Sequence, residues 1–321
     1  VSRVLNDRPD VSEDVRRKVL SAIKNSNYIP NNSARDLVRT KSDAVGLVVR
    51  GVSNPFYTDI IRAIERTITD AGFTMVMQQI GTCDDEVKCG AVMEREKRLQ
   101  GIVFLGGRFD YTPADLAMLN VPFVCCSYSN RYGTLIEGEY SSVSIADGDT
   151  AQQAVEELYR HGHRRIAALI SRPNDQSISQ LRYEGYVQAL ESHGIPVDPE
   201  LVISTGGFSA KDAYRAVQEK MAENVDFTAL FAIADSMAIG AMRALMDAGR
   251  RIPEDCSVIA IDGLELSAYI EPPLTTLCQP MEEMGRRSAE ILLDMVRHKG
   301  SHACELLPTT LRQGRSVAAP R

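Results

Sequence analysis

The chain has 321 residues, of which 44% are hydrophobic and 25% charged, a composition typical of a globular protein with one to three domains. No apolar run approaches the ~20 residues that a helix needs to span a bilayer. No secretory signal is visible in the charged N-terminus, so we expect a cytoplasmic protein. The net charge of −7 is unevenly distributed, because residues 1–41 carry +4 and the remainder −11. A basic head on an acidic body favours a polyanion bound by the head alone; a charged, solvated helix is the alternative.

The N-terminal segment predicts short helices. Its first residues, VSRVLND, have the pattern of a helix end, and SEDVRRKVLSAIKNSNY follows as a helix with Ser12 as its N-cap. Pro30 ends that helix. The next ten residues, NNSARDLVRT (31–40), predict a short basic helix in which the large apolar side chain of Leu37 has few apolar neighbours at helical spacing. Leu37 therefore does not fit a hydrophobic core of this chain.

From residue 44 onward, short apolar runs alternate with helical segments. The runs, such as AVGLVV and RIAALIS, are continuous, which indicates parallel strands buried on both faces. The predicted fold class is therefore α/β with doubly wound parallel sheets. About ten such strands are too many for one sheet, so we expect two lobes. Helix caps are predicted at Thr112 before Pro113, at Ser209 with Asp212, and at Asp235.

Several predicted strands end in residues that suit ligand binding. In parallel sheets, ligands bind at the carboxyl ends of the strands. The candidates there are Arg108 after LGG, Gln176 after ISRPND, Phe208 after TGG, Asp235 after AIA and Asp262 after AI. Carboxylate, guanidinium, amide and aromatic groups together suit a polyol or a heterocycle. Ordinary turn residues at strand ends are the alternative interpretation for some of them.

Other chemical signatures are missing from the sequence. There is no GxGxxG after the first strand, no Walker loop and no GxSxG, which disfavours a dinucleotide or nucleotide cofactor and a serine hydrolase. The seven cysteines include no CxxC pair and no cluster with metal spacing, so we expect reduced thiols and no metal. No nucleophile–base pair is evident, so we expect neither an enzyme nor a cofactor.

The motifs along the whole chain resemble one family. They are VSRVLND, VSEDVRRKVLSAIKNSNYIPNNSARDL, AVGLVVRGVSNPFY, HRRIAALIS, LRYEGYVQAL, DSMAIGAMRAL and SVIAIDG followed by PPLTTLCQP. Together they resemble the lactose/galactose repressor family of bacterial transcription regulators. The resemblance implies a partial helix-turn-helix at 1–29, a hinge helix and linker at 30–43, and a two-lobed effector domain at 44–321 that is similar to periplasmic sugar-binding proteins. Lobe N is implied at about 44–146 plus 281–304, and lobe C at about 147–277 plus 305–321.

The resemblance places DNA contacts in the head. The implied residues are Ser2, Arg3, Asn6, Asn32, Ala34, Arg35 and Leu37. Arg3 falls where the family often contacts base edges, as an arginine does with guanine; a phosphate contact is the alternative. Leu37 takes the position of a side chain that wedges into a base step from the minor groove. Because the family's first helix does not appear in this sequence, we expect weak specific operator binding by the chain as given.

The resemblance also implies ligand contacts between the lobes. The implied residues are Phe56, Tyr57, Arg108, Gln176, Arg182, Phe208, Asp235 and Asp262. A core role is the alternative for one of Phe56 and Tyr57, and a salt bridge on the helix surface is the alternative for Arg182. Arg182 matches a ligand-clamping arginine, Phe208 an aromatic ring that stacks on the ligand, and Asp262 an acceptor for ligand hydroxyl groups. Purine-binding members carry Arg and Thr where Gln176 and Ile178 stand, so a sugar or sugar phosphate is favoured, with Arg108 as a candidate for the phosphate.

The predicted function is therefore a DNA-binding transcriptional regulator, a repressor, whose operator affinity is controlled allosterically by a small sugar-like ligand. We expect a homodimer that binds operator DNA and no membrane. The alternative is a solute-binding protein for sugar transport, which the two lobes alone would fit. The basic head and the missing export signal disfavour that alternative.

Overall fold

The computed structural model describes residues 4, 11–25, 42–51, 54–81, 84–136, 138–174 and 176–321. The chain forms two compact units, residues 1–42 and 43–321. In the first unit, helix α1 (Glu13–Asn25) begins directly after the predicted cap Ser12 and carries acidic residues in its first turn, where they oppose the positive end of the helix dipole. The predicted basic helix at 31–40 and the predicted DNA contacts at Ser2, Arg3, Asn6, Asn32, Ala34, Arg35 and Leu37 lie outside the described residues.

The second unit contains, among the described residues, twelve strands in two six-stranded sheets, two more strands than the ten expected. The first sheet defines lobe N and has the order β11-β5-β4-β3-β1-β2. Its strands are parallel. They are β1 (Ala44–Arg50), β2 (Thr74–Ile80), β3 (Gly101–Leu105), β4 (Phe123–Cys126), β5 (Ser142–Ser144) and β11 (Cys304–Leu306). The helices of this lobe are α2 (Tyr57–Asp70), α3 (Glu86–Lys97), α4 (Pro113–Leu116) and α9 (Met281–His298).

The second sheet defines lobe C and has the order β12-β10-β9-β8-β6-β7. It is parallel except for β12, which pairs with β10 in the antiparallel direction. Its strands are β6 (Ile166–Ile170), β7 (Val202–Ser204), β8 (Ala229–Ala232), β9 (Ser257–Asp262), β10 (Thr275–Cys278) and β12 (Thr310–Arg312). The helices are α5 (Asp147–Arg160), α6 (Ile178–Ser192), α7 (Ala210–Ala222) and α8 (Asp235–Asp247).

The central strands are buried along their whole length. All residues of β3, β6, β8 and β9 are buried, which confirms that the continuous apolar runs are parallel strands covered on both faces. The chain crosses between lobes after β5, after β10 and between β11 and β12. Because β11 pairs in the sheet of lobe N, that lobe extends to Leu306, two residues beyond the expected boundary at 304.

Two of the predicted caps are present. Thr112 accepts a hydrogen bond from the backbone of Asp115 in a capping box with Pro113 at the first helical position. Ser209 accepts from the backbone of Asp212 at the start of α7. Helices α6 and α7 are the next elements after β6 and β7, joined to them by loops, so the carboxyl ends of these strands and the first turns of these helices lie at one edge of lobe C.

Candidate functional site

A cleft of about 540 Å³ lies between lobe N and lobe C, within the size range of small-molecule sites. Its wall in lobe N includes three residues predicted from the sequence, Phe56, Tyr57 and Arg108. Its wall in lobe C includes four more. These are Gln176, Arg182, Phe208 and Asp262. The structure therefore brings seven of the eight predicted ligand residues to one cavity.

Arg182 is buried at the floor of this cleft, with 2% of its surface exposed. Its Nε donates to Oδ1 of Asp147 at 2.8 Å, and its Nη1 lies 3.3 Å from Oδ1 of Asp262 and donates to the carbonyl of Ile233. One buried guanidinium therefore faces two buried carboxylates, which leaves an excess negative charge when both are ionised. Burial raises the pKa of Asp147, and Arg182 opposes that shift.

Asp262, which lines the cleft, has one carboxylate oxygen that is not used by the described part of the protein. Its Oδ1 accepts from Arg182 and, at 2.9 Å, from Nε2 of Gln279. Its Oδ2 and the Oε1 of Gln279 are buried without a hydrogen-bond partner among the described residues. Buried acceptors of this kind are costly unless a donor reaches them. Asp262 also has a φ of +137°, a rare conformation for a residue other than glycine that is often associated with functional sites.

Burial raises the pKa of Asp262 to about 7; Arg182 opposes this shift, and the nearby Asp235 adds to it. A carboxyl group with this pKa is partly protonated at neutral pH. A ligand hydroxyl that donates to Oδ2 would favour the ionised form. Asp262 can therefore bind a hydroxyl donor and exchange a proton as it does so.

The predictions for Asp235 are wrong. Helix α8 begins at Asp235 itself, and the residue at the cap position is Ala234, which provides no side-chain cap. The Asp235 carboxylate is buried and does not line the cleft. It accepts instead from the backbone of Leu264, from Ser267 and from Thr276. Asp235 therefore anchors the loop that follows Asp262, because three donors from that side of lobe C satisfy its oxygens.

The aromatic walls of the cleft lie on opposite lobes. In lobe N, Phe56 is buried and its ring centroid lies 5.6 Å from that of Tyr57. In lobe C, Phe208 is half-buried and its carbonyl accepts from Ser236 at the start of α8. Gln176 is exposed at the rim, with a φ of +47°. The cleft thus offers apolar ring faces on both walls and hydrogen-bonding groups at its floor and rim.

The sequence analysis missed Glu86. This first residue of α3 is buried, its Oε1 accepts from the backbone N–H of Arg108 at 2.7 Å, and its Oε2 lies 3.6 Å from Nε of Arg50. Burial raises the pKa of Glu86, while Arg108 and Arg50 oppose the shift. The sequence carries no signal for this role, since an acidic residue in the first turn of a helix is ordinarily solvated.

Arg108 itself is held by carboxylates of its own lobe. Its Nε donates to Oδ1 of Asp110 at 3.0 Å, and its Nη2 lies 3.7 Å from Oδ1 of Asp115. Its guanidinium also lies over the ring of Tyr111, 5.4 Å from the centroid. The second carboxylate, Asp115, is further bound by Thr112. Arg108 lines the cleft with its charge already compensated.

Other kinds of site are not found in the described parts of the chain. No group of three or more His, Cys, Asp or Glu side chains there could hold a metal ion. The six cysteines that the structure describes are free. None of the helices in the described ranges combines the length and apolarity needed to cross a bilayer.

Comparisons with known proteins identify both parts of the chain. Residues 1–31 match the family model for bacterial regulatory proteins of the lacI family, and residues 155–317 match the model for a periplasmic binding protein-like domain. The HTH-type transcriptional regulator MalR of Clostridium butyricum is 38% identical over 97% of this chain and 92% of its own length. The HTH-type transcriptional repressor CytR of Escherichia coli K12 is 32% identical over 96% of this chain and 90% of its own.

Solved structures show the same fold. A complex of the transcriptional regulator CelR with cellobiose matches with a TM-score of 0.76 and 31% identity, covering 98% of this chain and 94% of that one. The lac repressor dimer bound to operator and the anti-inducer ONPF matches with a TM-score of 0.80 and 26% identity, covering 99% and 94%. These relatives are transcription regulators, not enzymes. The chain belongs to the LacI family of bacterial regulatory proteins, and it is a ligand-controlled transcription regulator with the family's two-lobed α/β fold.

Proposed function

We propose that the cleft binds a sugar or sugar derivative and that occupancy of the cleft controls the affinity of the head for operator DNA. The observation that carries the proposal is the pairing of Arg182 with Asp262 at the cleft floor, where Oδ2 of Asp262 lacks a donor. A hydroxyl group supplies such a donor, and the aromatic ring of Phe208 suits stacking against a sugar ring. The CelR–cellobiose complex supports a sugar as the ligand class.

Each cleft residue has a role in this proposal. Arg182 and Asp262 bind ring hydroxyls, Phe208 and Tyr57 pack on the ring, and Phe56 supports Tyr57. Gln176 contributes an amide at the rim. Asp235 no longer belongs to the set, because its oxygens are occupied within lobe C.

We propose residues 1–29 as part of a helix-turn-helix, 30–43 as hinge helix and linker, and 44–321 as the effector domain. The family match at residues 1–31 supports DNA contacts in the head. Ser2, Arg3, Asn6, Asn32, Ala34, Arg35 and Leu37 stay predictions for these contacts. The lac repressor dimer on its operator supports a homodimer for this chain. Its regulation of transcription supports a location with the chromosome, in the cytoplasm.

The same geometry supports binding without conversion of the ligand. A sugar hydrolase needs two carboxyl groups about 5–10 Å apart on either side of the scissile bond, whereas of the two carboxylates beside Arg182 only Asp262 lines the cleft. The family match to a DNA-binding head also disfavours the transport protein that we considered as the alternative.

A thermal-shift screen of sugars and nucleosides tests the proposed function. A ligand present at 100 times its Kd stabilises the folded protein by about 2.7 kcal/mol. We expect at least one sugar to raise the melting temperature and no compound to be consumed on incubation. A nucleoside that stabilises the protein while every sugar fails would contradict the proposed ligand class, and turnover would contradict a purely regulatory site.

A further inference from the structure

The charged groups around the cleft determine whether the site accepts neutral or phosphorylated sugars. This inference rests on the proposed function. Four arginines line the cleft, and a free guanidinium is the usual partner of a phosphate group. They are Arg50, Arg108, Arg172 and Arg182. An anionic ligand would need one of them to be available.

Three of these arginines are already paired with carboxylates of their own surroundings. Arg182 lies between Asp147 and Asp262. Arg50 lies against the buried Glu86. Arg108 lies between Asp110 and Asp115, as described above. Five carboxylates therefore accompany these three arginines, so the cleft has no surplus of positive charge from them.

The fourth arginine and one helix end are the rival site for an anion. Arg172 is exposed and its Nε donates to the carbonyl of Gly206 at 3.0 Å. Helix α6 is without acidic residues in its first turn, and such N-termini attract anions. However, the N–H of Ser179 in that turn already donates to Oγ of Ser177.

A second observation points away from an anion. Asp262 is 2% exposed, and its unpaired Oδ2 belongs to a residue that lines the cleft. This oxygen is an acceptor when ionised and has no attraction for a phosphate oxygen, since like charges at close range repel. A hydroxyl group of a neutral sugar satisfies it. The same floor that recognises hydroxyl groups therefore disfavours a phosphoryl group.

We propose that the cleft selects neutral, hydroxyl-rich ligands over their phosphate esters, and that Asp110 and Asp115 determine this selectivity by neutralising Arg108. The sequence alone suggested Arg108 as a phosphate contact. The structure argues against that contact, because the guanidinium that a phosphate would need donates to Asp110 and lies 3.7 Å from Asp115, two carboxylates of lobe N. Removing those carboxylates should open the cleft to phosphate esters.

The test compares sugars with their own phosphate esters by isothermal titration on the whole chain. The pairs are ribose with ribose 5-phosphate, glucose with glucose 6-phosphate, and cellobiose with its 6′-phosphate, and inorganic phosphate is titrated alone. We expect at least one neutral sugar to bind and its ester to bind at least tenfold more weakly. An ester that binds as tightly as its parent sugar, or more tightly, overturns the proposal.

Variants assign the selectivity to residues. For each protein, the measured quantity is the ratio of the Kd for the ester to the Kd for the neutral sugar. In the double variant Asp110→Asn with Asp115→Asn, this ratio should be at least tenfold lower than in the unaltered protein. Because Asp115 also closes the capping box of Thr112, the single variant Asp110→Asn provides a second measurement if the double variant unfolds, with the same direction of change. Asp247→Asn is the matched control: it also breaks an ion pair with an arginine, Arg243, about 18 Å along α8 from the helix start.

The remaining outcomes are also decisive. If the ratio between ester and sugar stays unchanged in both Asp110 variants, these carboxylates do not set the selectivity and the proposal fails. If an ester binds the unaltered protein tightly and Arg172→Ala abolishes that binding, the rim is a phosphate site and the proposal fails. If neither sugars nor esters bind, the proposed function itself fails, and this inference fails with it.

Discussion

The Nε of Arg182 donates to Oδ1 of Asp147 over 2.8 Å, and Asp147 is the first residue of α5, where the chain enters lobe C from lobe N. The guanidinium at the cleft floor is thus tied to one of the crossovers between the lobes. Gln279, which donates to Asp262, lies at another crossover, between β10 and α9. A ligand that changes the hydrogen bonds of Asp262 therefore acts on residues at two of the segments about which the lobes would rotate.

Replacing Arg182 by Ala should destabilise the effector domain by about 3–5 kcal/mol, because it leaves buried carboxylates without their cation. Equilibrium unfolding in urea measures this loss. Arg62→Ala is the control, since Arg62 forms an exposed pair with Asp59 at 2.9 Å and pairs of that kind contribute about 0–1 kcal/mol. A loss for Arg182→Ala no larger than that of the control would contradict the ion network.

Replacing Asp262 by Asn should stabilise the ligand-free protein at pH 8 while abolishing tight sugar binding. Because burial raises the pKa of Asp262 to about 7 in the folded protein, folding favours the protonated form. The free energy of unfolding therefore falls as the pH rises from about 4 to about 7, and stays lowered above that range. Asn does not titrate, and it leaves Arg182 with the single carboxylate of Asp147.

Melting curves of the Asp262→Asn variant and the unaltered protein at pH 5 and pH 8 measure this effect. We expect the variant's gain in melting temperature to be larger at pH 8 than at pH 5. Each kcal/mol of added stability should raise the melting temperature by about 2–4 °C. A variant that melts below the unaltered protein at pH 8 would show that the Asp262 carboxylate is stabilising there, against our account.

Sugar affinity should rise with pH through the titration of Asp262. A hydroxyl that donates to Oδ2 favours the ionised carboxylate, so the sugar and the proton compete for Asp262. As the pH rises toward 7, the Kd for the sugar should fall by up to about tenfold per pH unit. Other charged or titratable groups that face Asp262 are Arg182, Asp235 and Tyr57. Titration calorimetry between pH 5.5 and 8, in two buffers of different ionisation enthalpy, should show proton release. A flat profile would argue against hydroxyl donation to an ionised Asp262.

Gly185→Ala should destabilise the protein by about 1–3 kcal/mol through overpacking. A Cβ at Gly185 in α6 would lie 2.1 Å from the carbonyl oxygen of Gly148 in α5. The two helices would have to separate, and since Arg182 lies one turn earlier on α6, sugar affinity should fall as well. Chemical denaturation and titration calorimetry measure the two effects.

Gly148→Ala is the matched control for that experiment. A Cβ at Gly148 would have its nearest neighbour, the carbonyl oxygen of Leu181, at an ordinary 3.7 Å. Helix propensity should then make Gly148→Ala neutral or stabilising by up to about 1 kcal/mol. If both variants lost equal stability, close packing at Gly185 would not be the cause.

Much of the fold follows from the sequence because the strands of parallel sheets are continuous apolar runs with few competing interpretations. Phe208 and Asp262 could likewise be proposed as cleft residues, since they follow strands whose carboxyl ends lie at one edge of the sheet, whereas Arg182 is implied by the family resemblance. The carboxylate and aromatic groups of these residues then favour a polyol or a heterocycle as the ligand.

The parts that sequence analysis missed depend on where side chains point after folding. Asp235 has the sequence pattern of a helix cap, but Ala234 occupies the cap position, and Leu264, Ser267 and Thr276 donate to the Asp235 carboxylate within lobe C. Glu86 has the pattern of an exposed helix start and is buried under the backbone of Arg108. In both cases the deciding partner comes from a distant part of the sequence, which local patterns do not report.

The central claim is that occupancy of the cleft controls DNA binding, and one titration tests it most directly. At low salt, where phosphate contacts strengthen the weak DNA binding expected of this chain, a duplex selected by the protein itself from a random DNA pool is titrated by fluorescence anisotropy, with and without a saturating sugar identified in the thermal-shift screen. We expect the sugar to change the Kd of the unaltered protein for this duplex by at least fivefold, a typical allosteric coupling. In the Asp262→Asn variant, the sugar should leave the Kd for the duplex unchanged. An unaltered Kd with the cleft saturated would contradict the account.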